Sequence, residues 1–228
     1  VGSEMCIRDS YMLGNTEPQN ALNAFKQVFD GKNRSIGLST TLVTKADEVK
    51  RVTERQEVTQ SKLVMGFRTP YAEPYTDVAV VKLMCAVLGG TPSSKLFMNV
   101  REKMSLCYYC AARYNPNKGI IIIDSGVENA NIEKTETAIL EQLKSMQAGD
   151  ITDEEIDAAK LALKNAYITS LDSLASIENF YLSQTFNRET LTPEESAEKI
   201  MAVTKEQIID AAKSVSLDTI YVLTSNEQ

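Results

Sequence analysis

Four stretches of this chain carry the same helix-starting pattern. Thr16-Glu17-Pro18-Gln19, Thr152-Asp153-Glu154-Glu155, Thr192-Pro193-Glu194-Glu195 and Thr204-Lys205-Glu206-Gln207 each place a threonine three residues ahead of a glutamate or glutamine. In such a capping box the threonine hydroxyl accepts from the backbone N–H three residues on, and the longer side chain reaches back to the threonine N–H. Two of the boxes add proline in the first turn, where its missing N–H costs nothing. Three of the four fall after residue 150, so the C-terminal part is committed to helices before any packing is considered.

The remaining elements follow from pattern and punctuation. The first box predicts a helix to about Phe29, stopped by Gly31, preceded by a strand end at Tyr11-Met12-Leu13-Gly14. Residues 30–47 lose clear periodicity and read as a connection with one extended stretch. Lys62–Phe67 reads as a strand stopped by Thr69-Pro70, followed by a helix over Tyr75–Leu88 that Gly89-Gly90 ends. A short helix over Pro92–Lys103, with Thr91 as its cap, precedes two strands, Leu106–Tyr114 and Gly119–Val127, joined by a turn at Asn115-Pro116-Asn117-Lys118. The chain is then mainly helical to Val215. Ile132, Ile139, Leu143 and Met146 share one face, as do Ile156, Ala159, Leu163 and Tyr167. Thr219–Leu223 closes the chain as a strand. This order predicts an α+β fold, a mainly antiparallel sheet of about five or six strands with helices packed on one side.

Charge and composition exclude several function classes. Lys plus Arg total 24 against 31 Asp plus Glu, a net charge of −7 that repels phosphate and argues against nucleic acid as a partner. There is no apolar run of about 18 residues, so no helix of this chain is expected to cross a membrane. Four cysteines in 228 residues do not make a disulfide framework, which favours a reducing, cytoplasmic setting. The opening VGSEMCIRDS resembles a translated sequencing adapter and is set aside as non-native sequence.

Histidine is absent, and that decides most of the chemistry. A serine, cysteine or threonine nucleophile would lack the usual imidazole base. Cys107-Tyr108-Tyr109-Cys110 has C-x-x-C spacing but no second ligand pair for zinc. In the strand predicted here its two cysteines point to opposite faces, as do Tyr108 and Tyr109, and two buried structural cysteines are the expectation. Leu88-Gly89-Gly90-Thr91-Pro92-Ser93-Ser94-Lys95 lacks the ending of a phosphate-binding loop and reads as a helix stop followed by a cap. The carboxylates Asp153, Glu154 and Glu155 lie in a first helical turn, where they complement the helix dipole.

One segment remains: Ser93-Ser94-Lys95-Leu96-Phe97-Met98-Asn99-Val100-Arg101-Glu102-Lys103-Met104-Ser105-Leu106-Cys107-Tyr108-Tyr109. Two glycines, a short helix ending in Val-Arg-Glu-Lys, and Leu-x-Tyr entering a strand resemble the second-domain signature of the pitrilysin/insulinase zinc peptidases. The likeness extends over most of residues 48–225 and is nearer to bacterial members with a decayed zinc motif. Ser105 stands where many active members have glycine, and Lys95 where arginine is common. The resemblance implies a division into residues 11–31 as the end of a preceding domain of the same type, 32–47 as linker, and 48–228 as the C-terminal non-catalytic domain.

In that family two similar domains close a chamber, one holding zinc through His-x-x-Glu-His and the other offering an arginine and a tyrosine to the substrate. By resemblance these are Arg101 and Tyr108, while no residue here is catalytic or binds metal. Zinc would come from a missing N-terminal domain or from a homologous zinc-bearing subunit, in a homo- or hetero-dimer acting on peptides. A guanidinium and a phenol suit a peptide carbonyl acquiring negative charge. Read from the residues alone, Arg101 could equally neutralise a helix C-terminus, and Tyr108 could pack on the sheet. The expected function is therefore the non-catalytic half of a peptidase chamber, and its alternative is a pseudo-peptidase serving as interaction partner of an active homologue.

Overall fold

A computed structural model describes residues 12–29, 42–185 and 187–226. The putting-aside of residues 1–10, the stop at Gly31 and residues 32–41 of the expected linker all concern positions outside the described residues. The elements run α1 (Pro18–Phe29), β1 (Lys50–Arg55), β2 (Ser61–Arg68) and α2 (Ala79–Cys85), which widens to π-type winding over Ala86–Gly90. A second wide-wound helix, Leu96–Lys103, leads into the hairpin β3 (Cys107–Asn115) and β4 (Ile120–Val127). There follow α3 (Ile132–Gln147), α4 (Asp153–Thr169), α5 (Leu174–Leu182), α6 (Pro193–Ala202), α7 (Lys205–Ser214) and β5 (Ser216–Thr224).

The five strands form one sheet in the order β1-β5-β2-β4-β3. Only the β1–β5 pair is parallel; β2–β4, β2–β5 and β3–β4 are antiparallel, so the sheet is mixed but mainly antiparallel. Alternation along β2 sets the two faces. Leu63, Met65 and Phe67 are buried, and Lys62, Val64, Gly66 and Arg68 are only partly covered. On the buried face these side chains join Ile121, Ile123, Ile220 and Val222, and the helices cover them with Val81, Leu83, Met84, Ile139, Met146, Ile208 and Ala211. Full burial of each large aliphatic or aromatic side chain contributes roughly 1.5–3 kcal/mol. Among the described residues the opposite face carries no helix of this core, and Ile122 is exposed there. Helices on one side of an α+β sheet are what the pattern predicts.

Cap chemistry decides the helix starts where it is complete. Thr152, Thr192 and Thr204 each make both reciprocal bonds of the box, with Glu155, Glu195 and Gln207. α1 begins at Pro18, within a residue of its box.

Several expectations are corrected. Met12-Leu13 is not part of a strand. α2 starts at Ala79 rather than near Tyr75, because side chains take the preceding backbone donors: Thr76 Oγ1 accepts from the Ala72 N–H at 2.8 Å and Asp77 Oδ1 from the Ala79 N–H at 2.9 Å. The next helix starts at Leu96 rather than Pro92, since Thr91–Ser94 closes a turn of its own (Ser94 N–H to Thr91 O, 3.1 Å) and Thr91 Oγ1 faces Ser93 Oγ. β1, Lys-Arg-Val-Thr-Glu-Arg, has no counterpart among the expected strands. It is exposed along its whole length and charged, as suits a sheet edge, so no apolar alternation marks it.

Candidate functional site

The approach to the site is built by two backbone features. Gly89 lies so close to β3 that a Cβ there would sit 2.7 Å from both the Ala112 N and Leu96 Cδ1. The Gly89-Gly90 pair therefore does more than stop a helix: it lets the end of α2 settle onto the strand and brings the Leu96–Lys103 helix beside it. Two residues past that helix stands Ser105, whose φ of 51° is left-handed. The N–H groups of Met104 and Leu106 bond back to Asn99 O and Val100 O at 3.0 and 3.2 Å, so the helix end is closed. Glycine is the usual residue in that conformation, and a Cβ there costs about 1 kcal/mol. Ser105 Oγ donates to Glu102 O at 3.3 Å in partial compensation.

Between this cap and β3 lies an open groove of about 390 Å3, whose lining includes Arg101, Glu102, Ser105, Cys107, Tyr108 and Glu128. The structure thus brings the two sequence-predicted residues, Arg101 and Tyr108, to one place. Arg101 Nε donates to the Tyr108 backbone oxygen at 2.9 Å, Nη1 lies 3.2 Å from Glu102 Oε1, and the guanidinium carbon stacks 4.5 Å from the centre of the Phe97 ring. These contacts orient the guanidinium, and Nη2 has no hydrogen-bond or ion-pair partner among the described residues. Tyr108 is 58% exposed, and its hydroxyl donates to Glu128 Oε1 at 3.2 Å. Tyr108 is thus largely open to solvent, whereas Arg101 covers the Phe97 ring. Arg101 does sit in the last turn of its helix, where dipole compensation also applies.

β3 departs from regular alternation here. Cys107 pairs with Val127 and Tyr109 with Gly126, so Tyr108 is the extra residue of a bulge. Cys107 and Cys110 consequently both pack on the core side, correcting the expectation that they face opposite ways. Tyr109 turns to the open face, where its hydroxyl accepts from Lys62 Nζ at 3.0 Å and its ring lies over Gly126, whose missing side chain makes room for it. Tyr108 also turns away from the core, toward exposed Glu128, so the two tyrosines are not on opposite faces. The expected pair of structural cysteines becomes a half-buried Cys107 at the groove beside a buried Cys110.

Sequence reasoning missed Glu102, Glu128 and Cys107 as groove residues. Glu128 follows the last residue of β4, and the hairpin register would have set it near Tyr108 had the bulge been legible. The electrostatics of the groove are mixed, with one guanidinium between two carboxylates. Cys107 is held below the ordinary thiol range, chiefly by the neighbouring Cys110 thiol, against the opposing effect of burial and with help from Arg101. Cys110 is pushed up by its interaction with Cys107 and by burial.

A zinc-bound water does not fit these residues. The chain has no histidine, and among the described residues no three Cys, Asp or Glu side chains are grouped to hold a metal. No helix among the described residues is long and apolar enough to cross a membrane.

The chain is similar to known proteins over most of its length. Residues 10–163 match the profile described as the peptidase M16 inactive domain. A Bacillus subtilis (strain 168) protein named "Probable inactive metalloprotease YmfF" is 32% identical over 222 residues, which cover 96% of this chain and 52% of that protein. Among solved structures, a conserved protein from Enterococcus faecalis V583 has a TM-score of 0.83 at 29% identity, covering 94% of this chain and 51% of that one. The peptidase M16 inactive domain from Pseudomonas fluorescens shares the fold, with a TM-score of 0.65 at 19% identity over 93% of this chain and 52% of that one. The chain spans about half the length of these relatives. The profile match over more than half of the chain shows that it belongs to the peptidase M16 family and carries the domain described as inactive.

Proposed function

We propose that this chain forms the zinc-free half of a two-part peptidase chamber and that Arg101 and Tyr108 contact the peptide backbone there. The observation that carries the reading is their convergence on one open groove, with the Arg101 guanidinium fixed by the Tyr108 carbonyl at 2.9 Å. A guanidinium held in place by protein contacts loses little freedom on binding. Its Nη2 edge can donate to a carbonyl oxygen that gains charge as the scissile carbon is attacked. The phenol reaches the same oxygen once it exchanges its Glu128 bond for the substrate. The attacking water and its metal come from the other half, supplied by a preceding domain or by a homologous zinc-bearing subunit.

In the complete protein, or in its complex with a zinc-bearing homologue, Arg101→Ala and Tyr108→Phe each lower peptide turnover on the order of 100-fold, the typical effect of removing one such donor. Circular dichroism stays unchanged. Wild-type turnover in both variants removes the roles assigned to these residues.

A second reading has its own support. Tyr108 is already tied to Glu128, and the Bacillus relative bears the name "Probable inactive metalloprotease YmfF". In this reading the chain is a pseudo-peptidase that pairs with an active homologue and leaves the groove idle. Co-purification of the complete protein with a zinc-bearing homologue whose turnover is indifferent to both substitutions would select it.

A further inference from the structure

We propose that Cys107 and Cys110 form a reactive dithiol at the mouth of the Arg101–Tyr108 groove, which small disulfides of the glutathione type close to an intrachain disulfide across the β3 bulge. The C-x-x-C spacing would be inert in a regular strand. The bulge changes that, because it inserts Tyr108 as an extra residue and leaves Cys107 and Cys110 opposite Val127 and Ser125, two pairing positions apart on one face. Two strand residues span about 6.4–6.8 Å, at the upper end of the Cα separations that a disulfide accepts.

Access is divided between the two sulfurs. Cys107 is half-buried and lines the groove, whereas Cys110 is 4% exposed and belongs to the core. An approaching disulfide therefore meets Cys107 first and finds Cys110 behind it. The surroundings favour that order, since the Cys110 thiol and the Arg101 guanidinium both stabilise a Cys107 thiolate. Cys85, by contrast, is buried and pushed up to about 12 by desolvation, and so is inert.

The chemistry balances in two exchanges. The Cys107 thiolate attacks one sulfur of glutathione disulfide. A Cys107–glutathione bond forms, the reagent's S–S bond breaks, and one glutathione thiolate leaves and takes a proton from water. Cys110 then gives up its proton and attacks the Cys107 sulfur, expelling the second glutathione. Two protein thiols are oxidised and one glutathione disulfide is reduced to two thiols. The new ring encloses Tyr108 and Tyr109, so closure fixes the bulge that presents the Tyr108 phenol to the groove.

The test uses the folded full chain incubated with glutathione disulfide, then alkylated in denaturant and digested with trypsin. Cleavage after Lys103 and Arg113 releases both cysteines on one peptide, Met104–Arg113. The expected product is that peptide two hydrogens lighter, without alkyl groups and without glutathione. Cys110→Ser should halt the reaction at a glutathione adduct on Cys107, and Cys107→Ser should carry no adduct at Cys110. A wild-type peptide that stays fully alkylated, or that keeps glutathione on Cys107 without closing, overturns the proposal. So does an adduct at Cys110 in Cys107→Ser. The wild-type mapping involves no substitution and decides the matter even if a variant does not fold.

Discussion

Lys95 and Arg101 lie six positions apart in the chain, yet the two sites are held in opposite ways. Lys95 is 5% exposed, with its ammonium 3.1 Å from Glu155 Oε1. The other oxygen of that carboxylate accepts from the Thr152 N–H at 2.9 Å, completing the capping box of α4. One glutamate thus starts a helix and neutralises a buried cation, so the junction is over-determined. Arg101 and Tyr108 are solvent-facing, joined to each other through a backbone carbonyl and flanked by a left-handed serine and a bulge. The first arrangement secures the fold, whereas the second keeps polar groups available and accepts local strain. Such a division, a rigid junction beneath an open polar surface, is what the proposed substrate contact would need.

Four substitutions test that contrast, from the largest effect to the smallest. Glu155→Ala removes the partner of a buried lysine and half of a capping box together. It should cost about 3 kcal/mol in urea unfolding, and a loss under 1 kcal/mol would show that the junction is no anchor. Gly89→Ala drives a Cβ into the backbone of Ala112 and should cost about 2–3 kcal/mol. Its thermal midpoint should fall accordingly, and an unchanged midpoint would mean that the helix end can lift off β3 freely. Ser105→Gly relieves the positive φ and should instead raise stability by about 0.5–1 kcal/mol, read from the shift in urea midpoint. A destabilised variant would show that the Glu102 bond outweighs the strain. Tyr108→Phe, at an exposed site with one bond to Glu128, should stay within about 0.5 kcal/mol of wild type by the same measurement. A larger loss would make Tyr108 a structural residue and erase the contrast.

The legible part of the fold was the part encoded locally. The boxes at Thr152, Thr192 and Thr204, the helix faces of Ile139–Met146 and Ile156–Ala159, and the strand at Lys62–Phe67 each need only neighbours in the chain to declare themselves. β1 stayed hidden because an exposed edge strand of charged residues has no buried face to alternate. The starts of α2 and of the Leu96 helix were misplaced for a related reason: short polar side chains at Thr76, Asp77 and Thr91 took part in turns that the apolar pattern cannot report. At the site, Arg101 and Tyr108 were reached through resemblance, and their placement in one groove is a result of folding. Glu128 and Cys107 were missed because the bulge at Tyr108 leaves no mark in residue identity.

By itself the sequence determined where the three fully capped helices α4, α6 and α7 begin, that the sheet would be covered on one side, and that no imidazole could hold a zinc ion here. Each of these rests on the chemistry of single residues or their near neighbours. Tertiary structure alone decided the parallel pairing of β1 with β5, the close approach at Gly89, and the bulge that turns Cys107 and Cys110 to one face. Those features arise from how distant segments meet, and strand register is an energy shared between two strands that neither strand specifies alone.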